Sequence, residues 1–266
     1  MSYKTILVHC DAGRGVDGRL NAAAEIAQRF EARLIGLHAR EPFDVAYFTE
    51  GGLAMGPLID AYKAGCDSAE KTAHAAYSKA TKGRNFPSEW RVTEAFSDEA
   101  LTVSARYADL LVIGQADPDD PDASRDDLPE VTAMATGRPV LVVPKIGAPS
   151  VVGKTVMLCW NASRESARAA SDAMPLLKDA DKVIVLLIDA KSTETGHGDE
   201  PGADVATWLT RHGVKVSVQR DVARGCGVHG SAVRRHGARA SLSQPSDPHH
   251  HVRRRRQRRH AGHARR

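Results

Sequence analysis

Cysteine is scarce in this chain of 266 residues: Cys10, Cys66, Cys159 and Cys226 stand far apart, with no C-x-x-C pair. That spacing supports neither a disulfide framework nor a zinc site, and reduced thiols are the expectation. No apolar run approaches the ~20 residues that cross a bilayer. The opening Met1-Ser2-Tyr3-Lys4-Thr5 leads into a short strand-like run rather than a signal peptide. A cytoplasmic protein with no membrane partner is therefore expected. Lysine vanishes after Ala223, and so do Glu, Ile, Phe, Tyr, Trp, Met, Asn and Thr.

That last absence changes how the charge is read. The formal net charge is +4, yet the final 43 residues hold 12 Arg against one acid, Asp247, while the rest holds 25 Lys+Arg against 32 Asp+Glu. An acidic body carries a basic tail, so the overall charge says nothing about nucleic acid at the body. The 42% hydrophobic fraction permits a real core, and the length fits one large domain or two smaller ones.

Along the body, Ile6-Leu7-Val8 is a short apolar run, and Leu20, Ala23, Ala27 and Phe30 then recur at helical spacing. Leu34-Ile35-Gly36-Leu37 reads as the next strand. After Pro57, Ile59, Tyr62, Cys66, Ala69, Ala73, Ala76 and Ala80 form the stripe of a helix with one buried face. Trp90-Arg91-Val92 reads as a strand, and Ser97 as the cap of a helix with Asp98 and Glu99 in its first turn. Leu110-Leu111-Val112-Ile113-Gly114, a polar loop, a short helix opened by Pro129, and Val140-Leu141-Val142-Val143-Pro144 complete the series. Strands apolar along their length and alternating with helices predict a parallel sheet covered on both faces.

The pattern then restarts. After a turn-rich linker, Lys145 to Ser150, Lys154-Thr155-Val156-Met157-Leu158 echoes Lys4-Thr5-Ile6-Leu7-Val8. Asp11-Ala12-Gly13-Arg14 is echoed by Asn161-Ala162-Ser163-Arg164 and, with one residue of slip, Leu37-His38-Ala39 by Ile188-Asp189-Ala190. A repeat this long predicts a duplicated domain. The expected division is a first unit over 1–146, a partial second over 151–223 and a tail over 224–266.

The K-T-I-L-V strand with Asp11 beyond its end, the D-L-L-V-I-G strand and the R-P-V-L-V-V-P strand together resemble the universal stress protein family, over residues 3–145 and again from 153 to about 222. The resemblance implies an α/β fold of tandem open parallel sheets, strand order 3-2-1-4-5, with the second incomplete. It also implies a non-catalytic stress-response protein that pairs as a homodimer or as an intrachain pseudo-dimer of its repeats. In one branch of that family ATP is bound, so ATP or another adenine nucleotide is the ligand class implied, with no cofactor required. Asp11 and Ala39 fall where the family contacts base and ribose, and Gly114 on the first glycine of its phosphate motif. The rest of that motif is replaced by Asp117, Asp127 and Leu128. Between Asp117 and Glu130 seven acids face only Arg125, a field that repels a triphosphate. The expectation is a weak nucleotide or small-ligand site.

Three other chemistries find little support in the residues. An EF-hand-like loop needs acids at alternate positions, then a Gly and a distal Glu; no start in the acidic loop supplies these, so no metal site is expected. Gly13-Arg14-Gly15-Val16-Asp17-Gly18 spells G-x-G-x-x-G, the alternative reading of a dinucleotide-binding enzyme, with Glu41 as an uncertain ribose acid. His9, His38 and His74 have no nucleophile in an elbow context beside them, so no catalytic residue is assigned.

From Arg224 onward the helix and two strands that should follow Asp221-Val222-Ala223 are missing. Arg without Lys, joined to Ala, Gly, Pro and His, is the composition of a GC-rich strand read out of frame, and a frameshift near codon 223 is the expectation. Such a tail buries too little apolar area to offset its chain entropy, so disorder is expected. Its Arg253 to Arg259 stretch offers only non-specific binding to nucleic-acid phosphates.

Overall fold

The computed structural model describes residues 2–43, 55–120, 122–123, 125–190 and 199–223. The expected disorder of residues 224–266 lies outside the described residues.

Five strands, β1 (Thr5–His9), β2 (Arg33–Arg40), β3 (Ser88–Glu94), β4 (Leu110–Gly114) and β5 (Val140–Val143), form a parallel sheet in the order β3-β2-β1-β4-β5. The all-apolar spelling of the inner strands has a direct cause. Side chains alternate across a strand, and here both faces are covered. Ile6 and Val8 pack with Leu34, Leu110 and Val112 under helices α1 (Val16–Phe30) and α2 (Met55–Thr81). Leu7 packs with Leu37, Leu111 and Ile113 under α3 (Ser97–Ala105) and α4 (Leu128–Ala135). Each such side chain contributes about 1.5–3 kcal/mol on burial. Asp109 sets the register: its Oδ2 accepts from the amides of Lys4 at 2.7 Å and Thr5 at 2.9 Å.

The stripe on α2 is present as read, half-buried near Ile59 and fully buried at Ala73 and Ala80. Tyr77 joins it, and its hydroxyl lies 2.9 Å from Leu34 O and 3.0 Å from both Glu89 O and Glu89 N, bracing β2 against β3. Ser97 is not the cap of α3. It is the first helical residue, Phe96 holds the cap position without a side-chain bond, and the Ser97 hydroxyl instead donates to Glu41 Oε1 at 2.9 Å.

A second sheet holds β6 (Thr155–Cys159), β7 (Lys182–Ile188) and β8 (Val216–Asp221), parallel and in the order β6-β7-β8. This mirrors β1-β2-β3. The slip between the two runs opposite to the sequence alignment. The amide after β1, Cys10 N, bonds Leu37 O at 2.9 Å, and the amide after β6, Trp160 N, bonds Leu186 O at 2.9 Å. Leu186 is thus the partner of Leu37, and Ile188 rather than Ala190 stands opposite Ala39.

Helices α5 (Arg164–Asp172), α6 (Met174–Asp179) and α7 (Ala203–Arg211) bury one face of this sheet, around Leu177, Val185, Leu187 and Leu209. The other face carries Met157 and Ile188, both more than half exposed. The apolar run of β7 predicts two covered faces; among the described residues, which hold no helix after β8, only one is covered. The two sheets touch through Tyr3 Oη, which donates to Asp172 O at 3.0 Å, and through Arg29, which donates to Val152 O at 2.8 Å and pairs with Asp179 at 3.3 Å.

Gly36 on β2 faces the Tyr77 ring so closely that a Cβ would stand 2.6 Å from two ring carbons and 3.1 Å from Trp90. Gly36→Ala should lower the free energy of unfolding by about 1–3 kcal/mol through overpacking. Gly65→Ala, inside α2 with open space around it, should raise it by up to about 1 kcal/mol. Urea denaturation of the two variants checks both signs.

Candidate functional site

In the order β2-β1-β4 the strand sequence reverses at β1 and β4, and such a switch point leaves a crevice at the carboxyl ends of the strands, where open α/β sheets bind ligands. The loop after β1, the end of β2 and the loop after β4 converge there. They enclose a cleft of about 240 Å³ whose wall includes His9, Asp11, His38, Ala39, Glu41 and Arg125. A cavity of about 30 Å³ adjoins it, shares Asp11 and Arg125, and includes Gly114.

Arg19 governs this corner. It projects from α1, is only 4% exposed, and its Nη2 donates to Asp11 Oδ1 at 2.6 Å. A buried guanidinium must be paired, and Asp11 is the acid that pairs it. Arg19 also lies against Gly114, where a Cβ would overlap the guanidinium. Glycine at the end of β4 is therefore required by Arg19.

His38 is buried, and its Nδ1 lies 2.7 Å from Cys10 O. A carbonyl only accepts, so Nδ1 carries a proton and donates it to Cys10 O. The ring stacks 6.1 Å from Trp90, 15° from parallel. His9 is 2% exposed, and burial pushes its pKa down to about 4, with Asp11 opposing the shift. The Cys10 thiol is pushed up to about 12 by burial and is inert as a nucleophile near neutral pH. Glu41 takes the Ser97 hydroxyl.

The acidic loop folds back over the first one. Asp120, 7% exposed, accepts from the Arg14 amide through Oδ2 at 2.6 Å. The Gly13 amide donates to Asp11 Oδ1 at 3.1 Å, and a Cβ on Gly13 would stand 3.0 Å from Ala123 Cα. Two amides that a G-x-G-x-x-G loop would offer to a pyrophosphate, those of Gly13 and Arg14, are thus held by carboxylates of the chain itself.

Of the residues expected from sequence, Asp11 and Ala39 share one cleft, and Gly114 lies in the adjoining cavity behind Arg19. His74 is exposed, edge-on to Trp90 at 5.0 Å. Sequence reasoning missed Arg19 and Asp120, and did not place Glu41 with Ser97. A charged residue beside the small apolar face of the first helix was the one available signal for Arg19. Among the described residues, no group of three or more His, Cys, Asp or Glu is placed to hold a metal ion, and no helix is long and apolar enough to cross a membrane. A larger cavity, about 770 Å³, lies between α5 and the region of Leu110 and Pro139 to Leu141. Its wall is mostly apolar, and its charged groups are taken up within the protein, Arg168 by Asp172 at 2.7 Å and Arg138 by Arg106 O at 2.8 Å. It lacks the convergent polar groups of the crevice.

Fifty-seven solved chains match this protein. A universal stress protein from Archaeoglobus fulgidus DSM 4304 matches with a TM-score of 0.54 at 11% identity, over 83% of this chain and 79% of its own. A member of the universal stress protein family from Burkholderia pseudomallei matches at 24% identity and a TM-score of 0.38, over 53% of this chain and 96% of its own. A universal stress protein in complex with cAMP matches at 24% identity and a TM-score of 0.41, over 54% of this chain and 98% of its own. No protein-family profile matches the chain, and no curated protein matches it. The chain has the universal stress protein fold.

His9 gives this site a pH signature. The unfolded chain binds a proton near pH 6.5, whereas the folded one resists it down to about 4. Stability is therefore complete above 6.5 and lost as pH falls towards 4. From pH 7.5 to 5 the free energy of unfolding should drop by about 2 kcal/mol through this group. His9→Gln should flatten that slope in urea titrations at each pH.

Proposed function

We propose that the chain is a tandem universal-stress-type protein of the cytoplasm, without catalytic activity, that binds an adenine nucleotide, a nucleoside or a similar small ligand weakly in the crevice at Asp11, Ala39 and Gly114. Residues 1–146 form the complete unit, 151–223 a partial copy and 224–266 a basic tail. The observation that carries the ligand reading is the meeting of Asp11 and Ala39 in one cleft at the switch point of the sheet. Support for the partial copy comes from the matching order and pairing of β6-β7-β8 and β3-β2-β1. A likeness at TM-score 0.54 that covers 83% of the chain also extends beyond what residues 1–146 supply. Absence of catalysis fits the chemistry of the corner, where burial holds the Cys10 thiol high and His9 low. The free thiols of Cys10, Cys66 and Cys159 fit a reducing compartment. The partner of the complete unit is a second copy of the chain or its own partial repeat. Nucleic acid engages the tail alone, without sequence preference.

Titration calorimetry and thermal unfolding of the full chain with adenosine, AMP and ATP test this reading. At least one should raise the melting temperature; a ligand at 100 times its Kd contributes about 2.7 kcal/mol. Ala39→Trp should abolish the shift by filling the cleft. Binding to single-stranded DNA should fall steeply between low and moderate salt and vanish without residues 224–266. If none of the three adenine ligands shifts the wild-type protein, the small-ligand reading is wrong.

A further inference from the structure

Each cation around the crevice already holds a carboxylate of the chain. Arg19 is paired to Asp11 at 2.6 Å, and Arg14 has Asp120 at 3.7 Å from its Nε and at 2.6 Å from its amide. Arg125 forms a two-pronged pair with Asp127 at 3.0 and 2.9 Å, and Lys145 reaches Asp117 at 2.9 Å. The last two cations are nearly half exposed, and exposed pairs are worth little, so they would yield to a competing anion. The carboxylates of Asp11 and Asp120 are different. Their side chains are 14% and 4% exposed, and a displaced buried carboxylate would need a new partner.

Asp120 holds a backbone amide that could otherwise serve an incoming phosphate. Amides at a Gly-rich turn that opens a helix are where α/β folds bind anions, and here the Arg14 amide bonds the Asp120 carboxylate. Gly13 leaves just enough room for that carboxylate, since a Cβ there would stand 3.1 Å from Asp120 Oδ2. The loop after β4 thus delivers its own anion to the loop after β1.

Carboxylates are prominent among the remaining polar groups of the cleft, and His38 commits its Nδ1 to Cys10 O. Glu41 and Asp122 add carboxylate oxygens to the same wall. A wall rich in carboxylates, with its buried cation Arg19 already paired to Asp11, favours a ligand that brings N–H and O–H donors and no negative charge.

We propose that the crevice is selective for an unphosphorylated nucleoside with a free amino group and free sugar hydroxyls, and that Asp120 is the residue that excludes its phosphorylated forms by acting as a built-in anion. This rests on the adenine-ligand reading above and sharpens it.

Titration calorimetry of the full chain with adenosine, AMP and ATP decides the matter. The wild-type protein should bind adenosine at least about tenfold more tightly than AMP or ATP, the factor set by one lost charge-assisted contact. Asp120→Asn keeps an oxygen for the Arg14 amide and removes the charge. Affinity for AMP should then rise about tenfold while that for adenosine stays within roughly twofold. AMP binding the wild-type protein as tightly as adenosine overturns the proposal and leaves the adenine site standing. So does a folded Asp120→Asn variant, checked by circular dichroism, with unchanged affinity for AMP. Failure of all three ligands on the wild-type protein overturns both readings together. The wild-type ranking is decisive even if the variant does not fold.

Discussion

The pairing of Arg19 with Asp11 is the constraint around which the crevice is arranged. A guanidinium buried at the top of the sheet must keep its acid, because removing either partner leaves an uncompensated charge and costs about 3–5 kcal/mol. That requirement fixes the loop after β1, whose Gly13 amide shares the same Asp11 oxygen. It forbids any side chain at Gly114. It also places a positive charge beside His9, where burial already disfavours protonation. The wall of the crevice is thus shaped by an interaction internal to the protein.

The two sheets show what the same strand chemistry does under different cover. In the first, inner strands alternate between two helical layers, so Leu7 and Ile6 are equally buried although they point to opposite faces. In the second, the run Val183 to Ile188 has comparable composition, yet Ile188 is 56% exposed and Val185 fully buried. The difference lies in the connections. A second helical layer in the first sheet comes from α3 and α4, the segments that bracket β4, and no counterpart follows β8 among the described residues. Among the described residues β6 correspondingly stands at an edge where β1 has two neighbours, a position that natural sheets usually blunt or cover.

Much of this fold was legible in the sequence because parallel strands buried on both faces leave continuous apolar runs, and helices leave stripes. Leu110 to Gly114 was bounded correctly for that reason, and the run from Val140 to Pro144 overshot its strand by one residue, because Pro144 has no amide to give to the ladder. The slip between Leu37 and Leu186 was not legible, since neighbouring apolar residues in a strand are interchangeable in spelling and only the hydrogen bonds fix their register. Ser97 has the chemistry of a cap, but Glu41, far away in sequence, competes for its hydroxyl. Asp11 and Ala39 could be placed from the order of motifs. Asp120 could not, because its contact with Arg14 spans 106 residues and an acid in a row of acids gives no sign of being the buried one.

The span of the pairings also bears on the order in which the chain acquires structure. Closing β4 onto β1 brings Thr5 and Asp109 together across 104 residues, whereas a hydrogen bond joining β7 and β8 links Val183 and Ser217 across 34. Each doubling of a loop adds about 0.6 kcal/mol of closure entropy, and folding rates fall as contacts become less local. The smaller sheet is the low-contact-order half. The part of the body that leaves the ribosome last is therefore the part that can zip up soonest, while the larger sheet waits for its central strand to find a distant neighbour.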